Sequence, residues 1–295
     1  MKAFILLHFF LMVAFSIFGL SIYWYGIFYV ITFLFAYFFL SLVMKKWVFE
    51  YSMPGLHRLL TTSMEDIFFY SVLGVLLGWR LWHIFIYDFA YYLKHPLEMI
   101  MVWKWGMSFI WGIVWVVTVL VIFIWKHKIS LRDFFALWDV LLIPTAFWIM
   151  IGRVGNFLNQ ELYGIPVSGS FMQQFPHITS YAVKLWLFHV YSRIDQVLRI
   201  NTNMLSSIFE WGLLFLVLSF VWYRLYMKKT RFPGLLVWIF FVWYSVVRFC
   251  FEYIRADSQL EFIGRFTKSQ WFFLWFAILW VLLLIFRKRI FDAKR

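Results

Sequence analysis

Apolar runs long enough to cross a bilayer recur along this chain from one end to the other, separated by short polar breaks. A helix of about 17–25 apolar residues spans the hydrocarbon core. In lipid, only helices and closed barrels leave no backbone polar group without a partner. The runs predict spans at about residues 23–43, 67–87, 107–125, 135–151, 208–226, 235–253 and 271–286. The expected fold class is therefore all-α, a polytopic transmembrane helical protein of about seven spans.

Composition excludes the soluble alternative. Hydrophobic residues make up 64% of the chain and charged residues only 14%, whereas soluble domains carry about 25% charge. The formal net charge of +13 does not imply nucleic acid. In a membrane protein it reflects cytoplasmic loops beside anionic headgroups. The single Cys250 lies inside an apolar run, so there is neither a disulfide framework nor a paired-cysteine metal site. His83 and His177 have no partners at ligand spacing, and no metal or organic cofactor is implied.

Residues 1–20 look superficially like a signal peptide, but Phe18-Gly19-Leu20 is not a small-x-small cleavage site and the apolar sequence continues. They are expected to form an N-terminal apolar helix, surface-lying or re-entrant, ahead of a seven-span domain over 21–295. Lys45, Lys46, Lys126, Lys128, Arg132, Lys228, Lys229, Arg231 and the basic C-terminus fall on one side of this topology, which makes that side cytoplasmic. The segment at about 165–204 is then a small head on the outer face, with apolar residues at helical spacing from Tyr181 to Arg199.

Polar groups within spans are costly and are functional candidates by default. Tyr25, Arg80, Ser108, Arg153, Asn156, Asn159, Glu161, Glu210, Arg248, Glu252, Ser269 and Gln270 are spread over the seven spans and their ends. All of them nevertheless fall at the outer half or outer interface. Arg248 and Glu252 are four apart and share a helical face, while Asp139 near the inner side is expected to pair or cap. Several arginines with few acids at one depth leave positive charge that a lipid phosphate would offset. Tyr25, Arg80, Arg153, Asn156, Glu161, Glu210, Arg248 and Glu252 are expected to line one cavity.

These residues also carry a resemblance. Gly152-Arg153-Val154-Gly155-Asn156-Phe157-Leu158-Asn159-Gln160-Glu161-Leu162-Tyr163-Gly164 resembles the signature of the prolipoprotein diacylglyceryl transferase family. In the family's order stand Trp24-Tyr25-Gly26, Gly78-Trp79-Arg80, Gly106-Met107-Ser108-Phe109, the run from Arg248 through Glu252 and Arg255 to Asp257, and Ser269-Gln270. The resemblance implies a seven-span enzyme of the bacterial inner membrane with its site toward the outer leaflet. Such an enzyme moves the diacylglyceryl group of phosphatidylglycerol onto the lipobox cysteine of a preprolipoprotein signal peptide. By motif position it implies catalytic roles for Arg153, Arg248, Glu252 and Tyr25. Contacts to substrate are implied for Asn156 and Glu161, and are expected from their outer-side placement for Asn159, Arg80, Ser108, Glu210, Arg255 and Gln270.

The chain departs from the family pattern in three places. Ile110-Trp111-Gly112 stands where the family has His-Gly-Gly, Met204 to Glu210 keeps only part of His-Pro-Ser-Gln-Leu-Tyr-Glu, and Gly78-Trp79-Arg80 replaces Gly-Gly-Arg. Without that histidine, the thiol could be ionised by the field of the arginines, or Glu161 or Tyr25 could take its proton. Two other readings remain at this stage: a catalytically silent relative that binds anionic lipid or signal peptides, and a lipid or anion transporter. Transporters tend to show internal two-fold similarity and interrupted helices, neither of which is evident.

Overall fold

The computed structural model describes residues 13–17, 20–45, 54–82, 84, 89–100, 109–227, 233–256 and 262–292. Long helices dominate. In order they are α1 (Trp24–Lys45), α2 (Pro54–Trp82), the short α3 (Phe89–Lys94), α4 (Phe109–Lys126) and α5 (Leu131–Leu158). The short helices α6 (Gly169–Gln174) and α7 (Pro176–Lys184) follow. Then α8 (Thr202–Leu205) runs through a π-helical stretch at Ser206–Gly212 into α9 (Leu213–Met227). Helices α10 (Leu235–Phe251) and α11 (Lys268–Asp292) close the chain.

The stretches Trp24–Val43, Arg132–Leu158 and Thr202–Leu225 are long and apolar enough to cross a membrane. Shorter apolar helices cover Val114–Lys126, Leu235–Phe251 and Lys268–Leu282. The architecture is that of a helical membrane protein. On α1, Val30, Leu34, Phe38 and Leu42 recur at four-residue spacing and are all exposed. Such a stripe would be unfavourable in water and is a suitable surface against lipid.

The chain forms two compact units, residues 1–40 with 135–295, and residues 41–134. In the first unit, Phe35 of α1 lies 4.3 Å from Phe147 of α5, and both rings meet Phe215 of α9. In the same unit, Phe241 of α10 stacks on Trp280 of α11 at 4.3 Å and 9°. In the second unit, α2 and α4 pack along each other, with the Ser63 hydroxyl 3.0 Å from His127 Nε2.

The acids of α5 cap other helices. Asp139 is fully buried, and its two oxygens accept from the backbone N–H groups of Gly234 (2.7 Å) and Val237 (3.1 Å) at the start of α10. The carboxylate thus satisfies donors that a helix N-terminus leaves open and meets the positive end of its dipole. Asp133 does the same for α2, accepting from the Leu56 backbone.

Several expectations are corrected. Residues 13–17 and 20–23 are not helical. They pair as antiparallel strands β1 (Val13–Ile17) and β2 (Leu20–Tyr23), with Phe15 opposite Ile22 and Ser16 opposite Ser21. β-Branched and aromatic residues alternating with serine suit a ribbon better than a helix. Residues 1–12 lie outside the described residues. Helix α2 begins at Pro54, well before residue 67, because proline is favourable in a helix's first turn. Helix α5 continues past residue 151 to Leu158, so that Arg153 and Asn156 are helical.

The segment after α5 is mixed rather than helical throughout. After α7, strands β3 (Phe188–Val190) and β4 (Leu198–Ile200) form an antiparallel hairpin in which His189 faces Arg199. A two-residue ribbon, β5 (Phe262–Ile263) with β6 (Phe266–Thr267), precedes α11. Among the described residues, the all-α expectation is therefore modified by three small ribbons.

Candidate active site

Arg153 and Asn156 are three residues apart in the last two turns of α5 and so project from one face. The Tyr25 hydroxyl, from the first turn of α1, donates to Asn156 Oδ1 at 2.5 Å. Gly155 makes this approach possible, since a Cβ there would lie 2.9 Å from Tyr25 Cε2. Arg153 and Glu161 both lie within electrostatic reach of the Tyr25 hydroxyl.

Arg248 lies in the last turn of α10, and its guanidinium meets the Glu252 carboxylate at 3.3 Å, as their spacing predicts. Glu252 is 2% exposed. Arg153, Arg248 and Arg255 line a common pocket, together with Leu162, Thr202, Asn203, Ser206 and Phe251. Arg153 lies within electrostatic reach of Glu210, Arg248, Arg255 and Tyr244. The pocket region thus gathers three guanidinium groups with two carboxylates, Glu210 and Glu252. In a low-dielectric setting that arrangement suits an anion recognised through planar, forked donors.

The loop leaving α5 shapes the pocket's other wall. Gln160 and Leu162 both take left-handed backbone conformations, with φ of 59° and 51°, and such strain persists only where surrounding structure enforces it. Asn203 Nδ2 donates to the Glu161 carbonyl at 2.6 Å, Thr202 Oγ1 to the Leu162 carbonyl at 2.7 Å, and Arg199 Nη1 to the Gly164 carbonyl at 2.9 Å. Arg199 also stacks over the Tyr163 ring at 4.9 Å and forms an ion pair with Asp195. Its guanidinium holds the Asp195 carboxyl below the usual carboxylate range. Gly164 is pinned between two strands of chain, where a Cβ would sit 2.5 Å from the Ile200 carbonyl oxygen and 2.8 Å from that of Ile254. The Glu161 side chain reaches solvent, yet partial burial pushes its carboxyl up, with a hydrogen bond from Asn159 pulling the other way.

The expected single cavity is only partly realised by the described side chains. Arg153, Arg248 and Arg255 face it, Glu210 and Glu252 stand next to those arginines, and Tyr25 and Asn156 meet beside Arg153. Gln270, expected to touch substrate, is 1% exposed. Its Oε1 accepts from Thr267 N–H while Thr267 Oγ1 accepts from Gln270 N–H, a reciprocal capping box that starts α11. Its Nε2 reaches the Phe249 carbonyl at 3.3 Å. The Arg80 side chain and Ser108 lie outside what is described, as do the side chains of Ile110 and Trp111.

Sequence reasoning missed Arg199, Thr202, Asn203, Ser206 and Tyr244. Tyr244 was within reach, being one turn before Arg248 on α10 and close to the same charges. The others lie in or beside a weakly matching motif, and only their contacts reveal them.

Fold and site together define a helical membrane protein with an arginine-lined pocket suited to an anionic group. The sequence profile of the prolipoprotein diacylglyceryl transferase family matches residues 12–286, and the chain belongs to that family. A phosphatidylglycerol–prolipoprotein diacylglyceryl transferase of Bordetella avium is 33% identical over 257 residues, covering 85% of each chain. Proteins of the same name from Ehrlichia ruminantium (31%, 85% of this chain and 86% of the relative) and Burkholderia pseudomallei (29%, 92% of each) are similarly related.

Proposed function

We propose that this protein transfers the diacylglyceryl group of phosphatidylglycerol to the lipobox cysteine of preprolipoproteins, forming a thioether and releasing glycerol phosphate. The observation that carries this reading is the convergence of Arg153, Arg248 and Arg255 on one pocket, in a chain whose relatives bear that activity in their names. In this reading seven helices cross the bacterial inner membrane, the 165–204 segment is a head on the outer face, and the pocket opens toward the outer leaflet. The basic residues collected on the opposite side support that orientation.

The reaction is a displacement at the glyceryl carbon that bears the phosphate ester. The thiol sulfur forms the new C–S bond, the C–O bond breaks, and its electron pair leaves on glycerol phosphate. Arg153 and Arg248 hold the phosphate through paired N–H donors and stabilise the charge that grows on it as the ester bond breaks. Glu252 fixes the Arg248 guanidinium at 3.3 Å. Asn156, oriented by Tyr25, and Glu161 position the headgroup glycerol. No covalent enzyme intermediate is required.

Ile110, where the family has a histidine, favours a second reading, a relative that binds anionic lipid without chemistry. Complementation of a bacterium depleted of its own transferase separates the two. Restored growth with thioether-modified lipoprotein supports the transferase. Failure by a well-expressed protein that still binds phosphatidylglycerol supports the silent relative.

A further inference from the structure

We infer that Ser206 and Glu210 form the proton relay that ionises the substrate thiol in this protein; the inference rests on the transferase reading. Ser206 lines the same pocket as Arg153 and Arg248, and its hydroxyl donates to Glu210 Oε2. Both residues lie on the π-helical stretch Ser206–Gly212, a local widening that occurs frequently at functional sites. Ser206 is 2% exposed and Glu210 fully buried.

The arrangement is more than is needed to hold a helix together. Glu210 Oε1 is buried and has no hydrogen-bond partner among the described residues. A buried carboxylate with an unmet acceptor site is costly unless charge nearby compensates, and Arg153 of α5 supplies that charge. Tyr244 of α10 also lies within electrostatic reach of Glu210. The residue itself is fixed, because Trp243 Nε1 donates to its backbone carbonyl at 2.9 Å and the Trp211 ring beside it packs against Tyr244 at 5.5 Å. Ser207 donates to the Met150 carbonyl at 2.9 Å and ties the same turn to α5. The result is a held acceptor behind a serine that lines the pocket, and no histidine lines that pocket among the described residues.

The proton path balances. The thiol gives its proton to Ser206 Oγ as Ser206 passes its own to Glu210. The thiolate then attacks the glyceryl carbon, and the departing phosphate oxygen takes the C–O electron pair. Glycerol phosphate collects the proton from Glu210 through Ser206, restoring the site. Ser206 touches the substrate, and Glu210 acts through it.

The test compares two lipobox peptides, one with cysteine and one with selenocysteine, on protein reconstituted in phosphatidylglycerol vesicles. A selenol is already ionised at neutral pH and needs no base. Glu210→Gln and Ser206→Ala should each lower transfer to the cysteine peptide by about 10²–10⁴-fold, the usual contribution of general base catalysis. Transfer to the selenocysteine peptide should fall by less than about 10-fold. Ser206→Thr, which keeps the hydroxyl, should retain most activity with both. Equal losses on the two peptides, or loss of phosphatidylglycerol binding in both variants, would make the pair purely structural and overturn the relay. A parent protein inactive on both peptides would overturn the transferase reading itself.

Discussion

The Tyr25 hydroxyl and the Asn156 side chain, 131 residues apart in sequence, are joined by a 2.5 Å hydrogen bond between the first turn of α1 and the last turn of α5. Gly155 clears the space for the tyrosine ring, and Arg153 lies within electrostatic reach of the hydroxyl. The bond therefore orients an amide beside the guanidinium that is to meet the phosphate. Tyr25→Phe keeps the ring and removes the bond, leaving a part-buried amide oxygen without its donor. A cost of about 1–3 kcal/mol corresponds to a roughly 5–150-fold fall in kcat/KM. The double variant Tyr25→Phe/Asn156→Ala should lose no more than the worse single variant, and a double-mutant cycle on transfer rates checks this. Strict additivity would mean that the two residues act independently.

Arg153→Lys is expected to be nearly as damaging as Arg153→Ala. A lysine keeps the charge but not the planar fork that grips two phosphate oxygens. Transfer should fall by about 10²-fold or more, with phosphatidylglycerol binding weakened in both variants. Parent-like activity in Arg153→Lys would show that a point charge suffices.

Gly164→Ala should damage both stability and activity. Its Cβ would press into the carbonyl oxygens of Ile200 and Ile254 and into Thr202 Cγ2. Backbone has little room to move there, because the Gly164 N–H donates to the Ile200 carbonyl and its own carbonyl accepts from Arg199. Overpacking of this kind costs about 1–3 kcal/mol, read as a lowered Tm in detergent. Gly169→Ala, with nothing within 4 Å of its Cβ, is the control and should leave Tm unchanged.

The grip of Arg199 on the loop should weaken in acid. Its partner Asp195 has a carboxyl held below the ordinary value of about 3.9. A carboxyl depressed in the folded state contributes stability that is fully present above its unfolded pKa. That contribution is lost as pH falls through the lower folded value. Hydrogen exchange at the Gly164 and Ile200 amides should therefore show constant protection at neutral pH and a loss only below about pH 4. Asp195→Asn should remove that acid-sensitive step, and its persistence in the variant would assign it to another group.

Ile110→His, with Trp111→Gly to make room, should raise transfer at neutral pH and introduce an inflection near pH 6.5, the ordinary histidine value. The parent should show no such inflection, since its proton leaves through Ser206 and Glu210. Diacylglyceryl transfer to a lipobox peptide, measured against pH in both forms, tests this. A histidine-like transition in the parent would contradict it.

Much of this protein was legible in the residues alone. The apolar runs identify helices because lipid offers the backbone no hydrogen-bond partners, and the described long helices fall on those runs with shifted ends. The Arg248–Glu252 pair follows from four-residue spacing on one helix, and the Arg153 signature carried the family. Local spacing could not supply contacts between segments. It anticipated that Asp139 pairs or caps but not that α10 is the helix it caps, and it did not show that Gln270 is bound up in a capping box or that the start of the chain pairs as strands. It was equally silent on Thr202, Asn203 and Arg199 gripping carbonyls some forty residues away. The physical reason is that apolar patterning and helical period are short-range signals that determine which segments enter lipid and which face they turn. The pairing of one polar group with another depends on which helix ends meet in three dimensions, and the tertiary structure alone decides that.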